Sequence, residues 1–202
     1  DWGNLTLGPV NMSLNAGTAE LHDAMVTLEG SQVSACLAIG IREAPTYGSP
    51  AFLFQGNLKS YVSAPAGGMV MATATLSGDY AASPLQYSKP WGVVVHPLGT
   101  ETAGNTATAG TIIDNGAPST NGGYLFYDYT AIDGLLDSAE AILEESADAA
   151  TWSTLILQPA LSAPAAGIIQ LAPGSTVKQY LRWQLGFDAG TTATFFLAFV
   201  RG

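Results

Sequence analysis

Hydrophobic and polar residues alternate along most of this chain. In TVKQYLRWQLGF, Val177, Leu181, Trp183, Leu185 and Phe187 hold the odd positions, with Lys178, Arg182 and Gln184 between them. That period of two is the signature of a strand with one buried face. FDAG reads as a hairpin turn. The run after it sends Phe195, Leu197 and Phe199 to one side and Thr192, Thr194, Phe196, Ala198 and Val200 to the other. A strand apolar on both faces lies deep inside a sheet or is covered by something outside the chain. The same alternation appears in VNMSLN (Val10, Met12, Leu14), AMVTLE (Ala24, Val26, Leu28) and QVSACLAIGI (Val33, Ala35, Leu37, Ile39, Ile41). Gly30 and Ser31 read as a hairpin turn between the last two. PAFLFQGNLKSYV, GGMVMATATLSGDY, WGVVVHPL and GYLFYDYTAI supply further strands.

Two stretches break the pattern. In DGLLDSAEAILEESAD, Leu135, Leu136, Ala139, Ile142 and Leu143 recur at helical spacing, while Ala139, Ala141 and Leu143 also alternate as a strand. The reading adopted is a helical turn over residues 133–138 with a strand after it. From Gly99 to Gly123 the chain is mostly Thr, Ala, Gly and Asn, broken by TIID, and reads as a long polar loop or arm; loops of that length are usually functional or ordered by a partner. The fold class that follows is all-β: two packed antiparallel sheets in a sandwich or barrel, with one or two short helices. Residues 1–202 are expected to form a single domain, with the arm at 99–123.

Composition adds an unusual surface. Only 11% of the 202 residues are charged, against about 25% in an average soluble domain. Sixteen acids face six bases, for a net charge of -10. With a mean hydropathy of +0.24, two readings fit: an Ala- and Gly-rich chain shaped by a GC-rich genome, or a surface that largely meets other protein. The acid excess argues against a sequence-reading nucleic-acid binder, which must neutralise phosphates. Seven acids lie between Asp128 and Asp148 with no base among them, either a solvated face or a deliberately negative surface.

Candidate chemistry is sparse. Cys36 has no partner for an internal disulfide and reads as an inert buried thiol within VSACLAIGI. His22 and His96 belong to no metal-binding spacing, and no nucleophile elbow or phosphate-binding loop is present. Glu144 and Glu145 are neighbours on a strand, point to opposite faces and cannot flank one glycosidic bond. The sequence therefore points to no enzyme, no metal and no cofactor. Its apolar runs fall short of the ~20 residues that cross a bilayer, and no leader pattern is seen, so a soluble chain is expected.

One resemblance is specific enough to use. GGYLFYDYTAIDG, EESADAATWSTL, TVKQYLRWQLGF and TTATFFLAFVRG together resemble the C-terminal half of major tail (tail tube) proteins of long-tailed bacteriophages, particularly those infecting actinobacteria. An S-x-D…W hairpin corresponds to Ser146, Asp148 and Trp152, and a V-x-R-Y-(L/V)-R strand to Val177, Tyr180, Leu181 and Arg182. The closing strand corresponds to Phe196, Ala198, Phe199 and Arg201; Gln179 stands where many of those proteins carry Arg. Residues 54–97 are similar to their middle, and the first fifty residues are less typical.

The resemblance implies a virion structural protein, assembled in the host cytoplasm into the phage tail. Its main partner would be itself: rings, usually hexameric, whose sheets join into an inner barrel and which stack into a tube through loops and arms. Tape measure and terminator proteins would be further partners, with DNA only a transient passenger and no membrane involved. Tyr180, Arg182, Phe196, Phe199 and Arg201 would belong to the assembly strands. Glu140, Glu144 and Asp148 would line a negative lumen that repels the phosphates passing through it. The alternative is a capsid or tail decoration protein or a carbohydrate-binding sandwich, in which Trp152 and exposed tyrosines would stack on sugar. The absence of aromatics from residues 99–123 speaks against that alternative.

Overall fold

The computed structural model describes residues 5–6, 30, 32–40, 44–66, 69–78, 91–102, 108–133, 139–187 and 191–202. The strands are β1 (Leu5–Thr6), β2 (Gln32–Ala38), β3 (Pro50–Ala66), β4 (Met69–Gly78), β5 (Trp91–Thr102), β6 (Thr108–Ala109) and β7 (Ile113–Asp114). They continue with β8 (Gly123–Asp133), β9 (Ala139–Ser146), β10 (Ser153–Leu157), β11 (Ala165–Leu171), β12 (Tyr180–Phe187) and β13 (Thr192–Arg201). Among the described residues there is no helix. Asp133 ends β8, and the rest of the expected helical turn lies outside the described residues, as do the VNMSLN and AMVTLE runs.

The chain forms two compact units. One comprises Asp1–Ala35 and Phe54–Gln86. Within it β3 and β4 form an antiparallel hairpin in which Gly56 faces Gly78 and Ala66 faces Met69, and β1 pairs with β4. The other comprises Cys36–Leu53 and Tyr87–Gly202 and holds two packed antiparallel sheets. In its first sheet the opening residues of β3 pair with β5, followed by β13, β8 and β11. The second sheet runs β10, β9, β12, with β6 and β7 both lying on the far edge of β12.

The alternation read from sequence is the alternation that builds the core between these sheets. Leu181, Trp183 and Leu185 of β12 and Ala139, Ala141 and Leu143 of β9 point inward. They meet Phe195, Leu197 and Phe199 of β13 and Leu125 and Tyr129 of β8. Each such large side chain removed from water contributes about 1.5–3 kcal/mol. The strand expected after residue 138 is β9, and its alanines have a packing role. Ala141 sits directly across from Leu185, next to the pairing of Leu143 with Trp183, so small and large residues alternate in the layer.

Trp183 also dictates a glycine. The Gly110 N–H donates to the Trp183 carbonyl at 2.8 Å, and a Cβ at Gly110 would stand 1.8 Å from Trp183 Nε1. No other residue permits that approach. A second glycine, Gly167 of β11, pairs with Tyr127, whose ring lies against its bare backbone.

The two-sided apolar pattern of β13 has its explanation inside the chain. β13 lies between β5 and β8, paired along both edges. Phe195, Leu197 and Phe199 face the intersheet core, while Ala198 and Val200, on the opposite face, are also fully buried. Of the two options left by the sequence, the strand takes the position deep inside a sheet.

The stretch 99–123, read as one polar arm, is in its described part tied to strands at several points. Its first residues complete β5. Residues 108–122 run along the edge of β12, with Ala109 opposite Gln184, Asp114 opposite Tyr180 and Ser119 bridging Val177. Backbone hydrogen bonds hold it, which is why its composition carried no periodicity. Its apolar anchor is Ile113, which joins the core at 6% exposure, while Ile112 remains outside. Replacing Ile113 by Ala should lower the unfolding free energy by about 2–5 kcal/mol. A urea titration checks this; a free arm would give no change.

Candidate functional site

With Ala139, Ala141 and Leu143 inward, the intervening residues Glu140, Ile142 and Glu144 of β9 face outward. Across from Glu144 and Ile142, Arg182 and Gln184 of β12 share that face. Arg182 Nε donates to Glu144 Oε2 at 2.7 Å. The Gln184 amide, oriented by its partners, donates its nitrogen to both oxygens of Glu144 at 3.1 Å. The Arg182 guanidinium lies 4.2 Å from the centre of the Trp152 ring. Glu144 is thus a neutralised, partly buried carboxylate. Of the expected lumen acids, Glu140 is the one on this face without a basic partner among the described residues.

Asp148 lies elsewhere, in the turn between β9 and β10. Its Oδ1 accepts from the Thr151 and Ala150 N–H groups at 2.7 and 2.9 Å and from the Ser146 hydroxyl at 2.9 Å. The Ser146 hydroxyl oxygen in turn accepts from the Asp148 N–H at 3.2 Å. Those donors, the Thr151 N–H first, hold the Asp148 carboxyl well below the usual carboxylate range. Ala149 takes a φ of 57°, a left-handed conformation that the surrounding bonds fix. The S-x-D…W pattern is therefore a turn device: Ser146 and Asp148 close the loop, and Trp152 emerges beside Arg182.

The remaining acids scatter. The Glu145 carboxylate accepts from the Lys178 N–H at 2.9 Å and pairs with Lys178 Nζ at 3.3 Å. Asp128 belongs to β8 in the other sheet, where burial pushes its carboxyl up. Strand alternation and a change of sheet distribute the described acids of the run over several surfaces.

The expected assembly residues have the following places. Phe199 is a core residue at 1% exposure and cannot touch a neighbouring molecule; its apolar character serves the intersheet packing. Phe196 is half-buried on the opposite face of β13, edge-on to Phe126 at 6.1 Å. Arg201 is occupied within the chain, donating to the carbonyls of Ala117, Lys178 and Gln179. Beside it the Gly202 N–H donates to the Gly122 carbonyl at 3.0 Å. Arg182 and Tyr180 remain on the outward side of β12, half-buried.

A surface that no sequence motif marks is formed by the two strands that end the sheets, β11 in the first and β10 in the second, with residues 158–164 linking them. Among the described residues no strand occupies the free edge of β11. Its sequence, AAGIIQL, has no charge and no proline, and between Asp148 and Lys178 the chain has no Asp, Glu, Lys or Arg at all. Leu157, at the end of β10, is 55% exposed. Among the described residues no group of three His, Cys, Asp or Glu is placed to hold a metal. Compared with known protein families, curated proteins and solved structures, the chain finds no match.

The Asp148 turn gives a test. Its folded-state pKa is depressed, so its stabilisation is complete above the unfolded value of 3.8 and is lost as pH falls through the folded value. Asp148→Ala should lower the Tm at neutral pH, and the gap to the native protein should narrow as pH drops below about 4. Thermal scans from neutral to strongly acid pH read both effects.

Proposed function

We propose that this chain is a structural subunit that assembles with copies of itself into stacked rings, forming the hollow tail tube of a long-tailed phage. The observation that carries the reading is the uncharged edge of β11, which pairs with no strand among the described residues. Proteins that stay monomeric blunt such edges with lysine, proline, bulges or a covering loop. Its seven residues, Ile168 and Ile169 among them, include no charge and no proline, and no described strand pairs with it. An unguarded edge on a chain with so little surface charge fits a subunit whose sides are completed by neighbours. The likeness of the hairpin at Ser146–Trp152 and of the last two strands to tail tube proteins supplies the kind of assembly. The decoration or sugar-binding alternative is weakened because the Arg182 guanidinium already lies over one face of Trp152, the aromatic it would use.

Electron microscopy of the purified protein should show rings or hollow tubes at rising concentration. Ala166 and Gln170 face away from the core on β11 and are exposed. Lysine at both should leave the far-UV circular dichroism unchanged and abolish assembly, because like charges meet across the paired edges. Wild-type protein that remains monomeric at every concentration and salt would overturn the reading.

A second outcome concerns charge. Glu140, on the outward face of β9, has no basic partner among the described residues, and copies of it brought together in a ring repel. Assembly should become easier as salt rises from about 10 mM to about 1 M, where the screening length falls from roughly 30 Å to roughly 3 Å. Glu140→Gln should reproduce that gain at low salt. Glu144→Gln should not, since it breaks the pair with Arg182. Light scattering across a salt series distinguishes the two variants.

A further inference from the structure

His96 lies on β5 within the core, 1% exposed, and its environment is unusual for an imidazole. The ring stacks on Phe195 at 4.1 Å with 15° between planes and meets Trp183 edge-on at 4.8 Å and Tyr47 edge-on at 5.9 Å. Nδ1 stands 3.1 Å from the Phe195 carbonyl oxygen, and Nε2 stands 3.2 Å from Glu101 Oε1. A carbonyl can only accept, so Nδ1 carries a proton. In a neutral imidazole Nε2 is then a bare lone pair facing a carboxylate oxygen, and that contact is repulsive. One more proton, on Nε2 or on Glu101, converts it into a charge-assisted hydrogen bond.

The two residues bracket an irregularity. Along β13, Leu197 pairs with His96 and Phe195 with Gly99, so β5 has an extra residue in the Pro97–Leu98 stretch. Proline has no N–H for the ladder, and Leu98 is 63% exposed. Beyond this bulge, Gly99–Thr102 pair with Thr192–Phe195 and form the end of β5. From there the chain goes on to the β6–β7 segment along β12.

We propose that His96 and Glu101 form a proton-operated latch across this bulge, closed when the pair binds one proton beyond the Nδ1–H and open when it does not. Closed, it ties the end of β5 to the core; open, Glu101, about one-third exposed, turns to solvent and the last rungs of the β5–β13 ladder loosen. The groups facing the imidazole are few. Glu101 approaches from its own strand, and the Tyr47 phenol from the loop before β3. β13 and β12 offer Phe195 and Trp183, which do not titrate. Burial pushes the imidazolium down from its ordinary value, while Glu101 and the Phe195 carbonyl act in the opposite direction. The latch therefore closes on the acid side of histidine's usual range. This device is independent of whether the chain builds a tube.

The test uses the full chain, with ring-nitrogen NMR of His96 and amide hydrogen exchange read as protection factors. In the native protein Nε2 should change from bare to protonated as pH falls. Over the same interval, amides of Thr100–Thr102 and Thr192–Thr194 should gain roughly tenfold or more in protection. Glu101→Gln, whose amide donates to the bare Nε2, should keep those amides protected at all pH values. Glu101→Ala should leave them poorly protected throughout. Near-UV circular dichroism checks that both variants fold; if either does not, the native titration alone decides. Protection that ignores the His96 titration, or a His96 whose bare nitrogen is Nδ1, would overturn the latch.

Discussion

A ten-residue strand with apolar side chains on both faces, such as β13, is stable only where backbone partners cover both edges and protein covers both sides. Meeting that demand organises the larger unit. β5 and β8 satisfy the two edges, and β12 and β9 bring their alternating faces over Phe195, Leu197 and Phe199. Phe195 is the centre of this packing, stacked between His96 at 4.1 Å and Tyr129 at 5.1 Å, with Trp183 edge-on at 5.8 Å. The small residues follow from the large ones: Ala139 and Ala141 on β9 and the bare Gly110 make room for the ring system.

Because the chain has so few charges, the placement of each one matters. Glu144 is held by Arg182 and Gln184, Glu145 by Lys178, and Asp148 by the N–H groups of its own turn. Arg201 closes the C-terminal end against three carbonyls. These charges knit strand ends and turns together, and each is screened or neutralised locally. β10 and β11 by contrast contain no charged residue. Solvation of an isolated subunit there depends on exposed backbone and small polar groups, a poor barrier to strand pairing. This is the physical basis for reading the protein as one part of a larger assembly.

Most of the strands could be read directly from the sequence, because a period of two reports which side of a sheet is buried whatever the sheet's partners are. Leu181, Trp183 and Leu185 showed it openly. Ala139, Ala141 and Leu143 showed it in competition with a helical pattern, and the strand prevailed because pairing with β12 along its length satisfies the backbone. The segment at 108–122 could not be read this way. Its place along β12 is set by main-chain bonds, by the apolar anchor Ile113 and by side-chain hydrogen bonds of Asp114 and Asn115 with Gln179, and composition reports none of these.

The site residues divide along the same line. Alternation alone separates Glu144 from Glu145 and places Glu140 with Glu144. It does not reveal that Arg182 neutralises one of those acids, that Asp148 is used up in its own turn, or that Phe199 is sealed in the core. Those facts depend on which strand lies beside which, and strand order is a property of contacts between residues far apart in the chain. His96 and Glu101 show the limit most clearly. Five positions apart, they fit no motif, and only the bulge at Pro97 and the Phe195 carbonyl, ninety-nine residues from His96, bring Nε2 and a carboxylate oxygen to 3.2 Å. The sequence by itself determined which faces are apolar, because that pattern is local. The tertiary structure alone decided what each face meets, because burial, pairing and proton affinity arise from neighbours that the linear order does not specify.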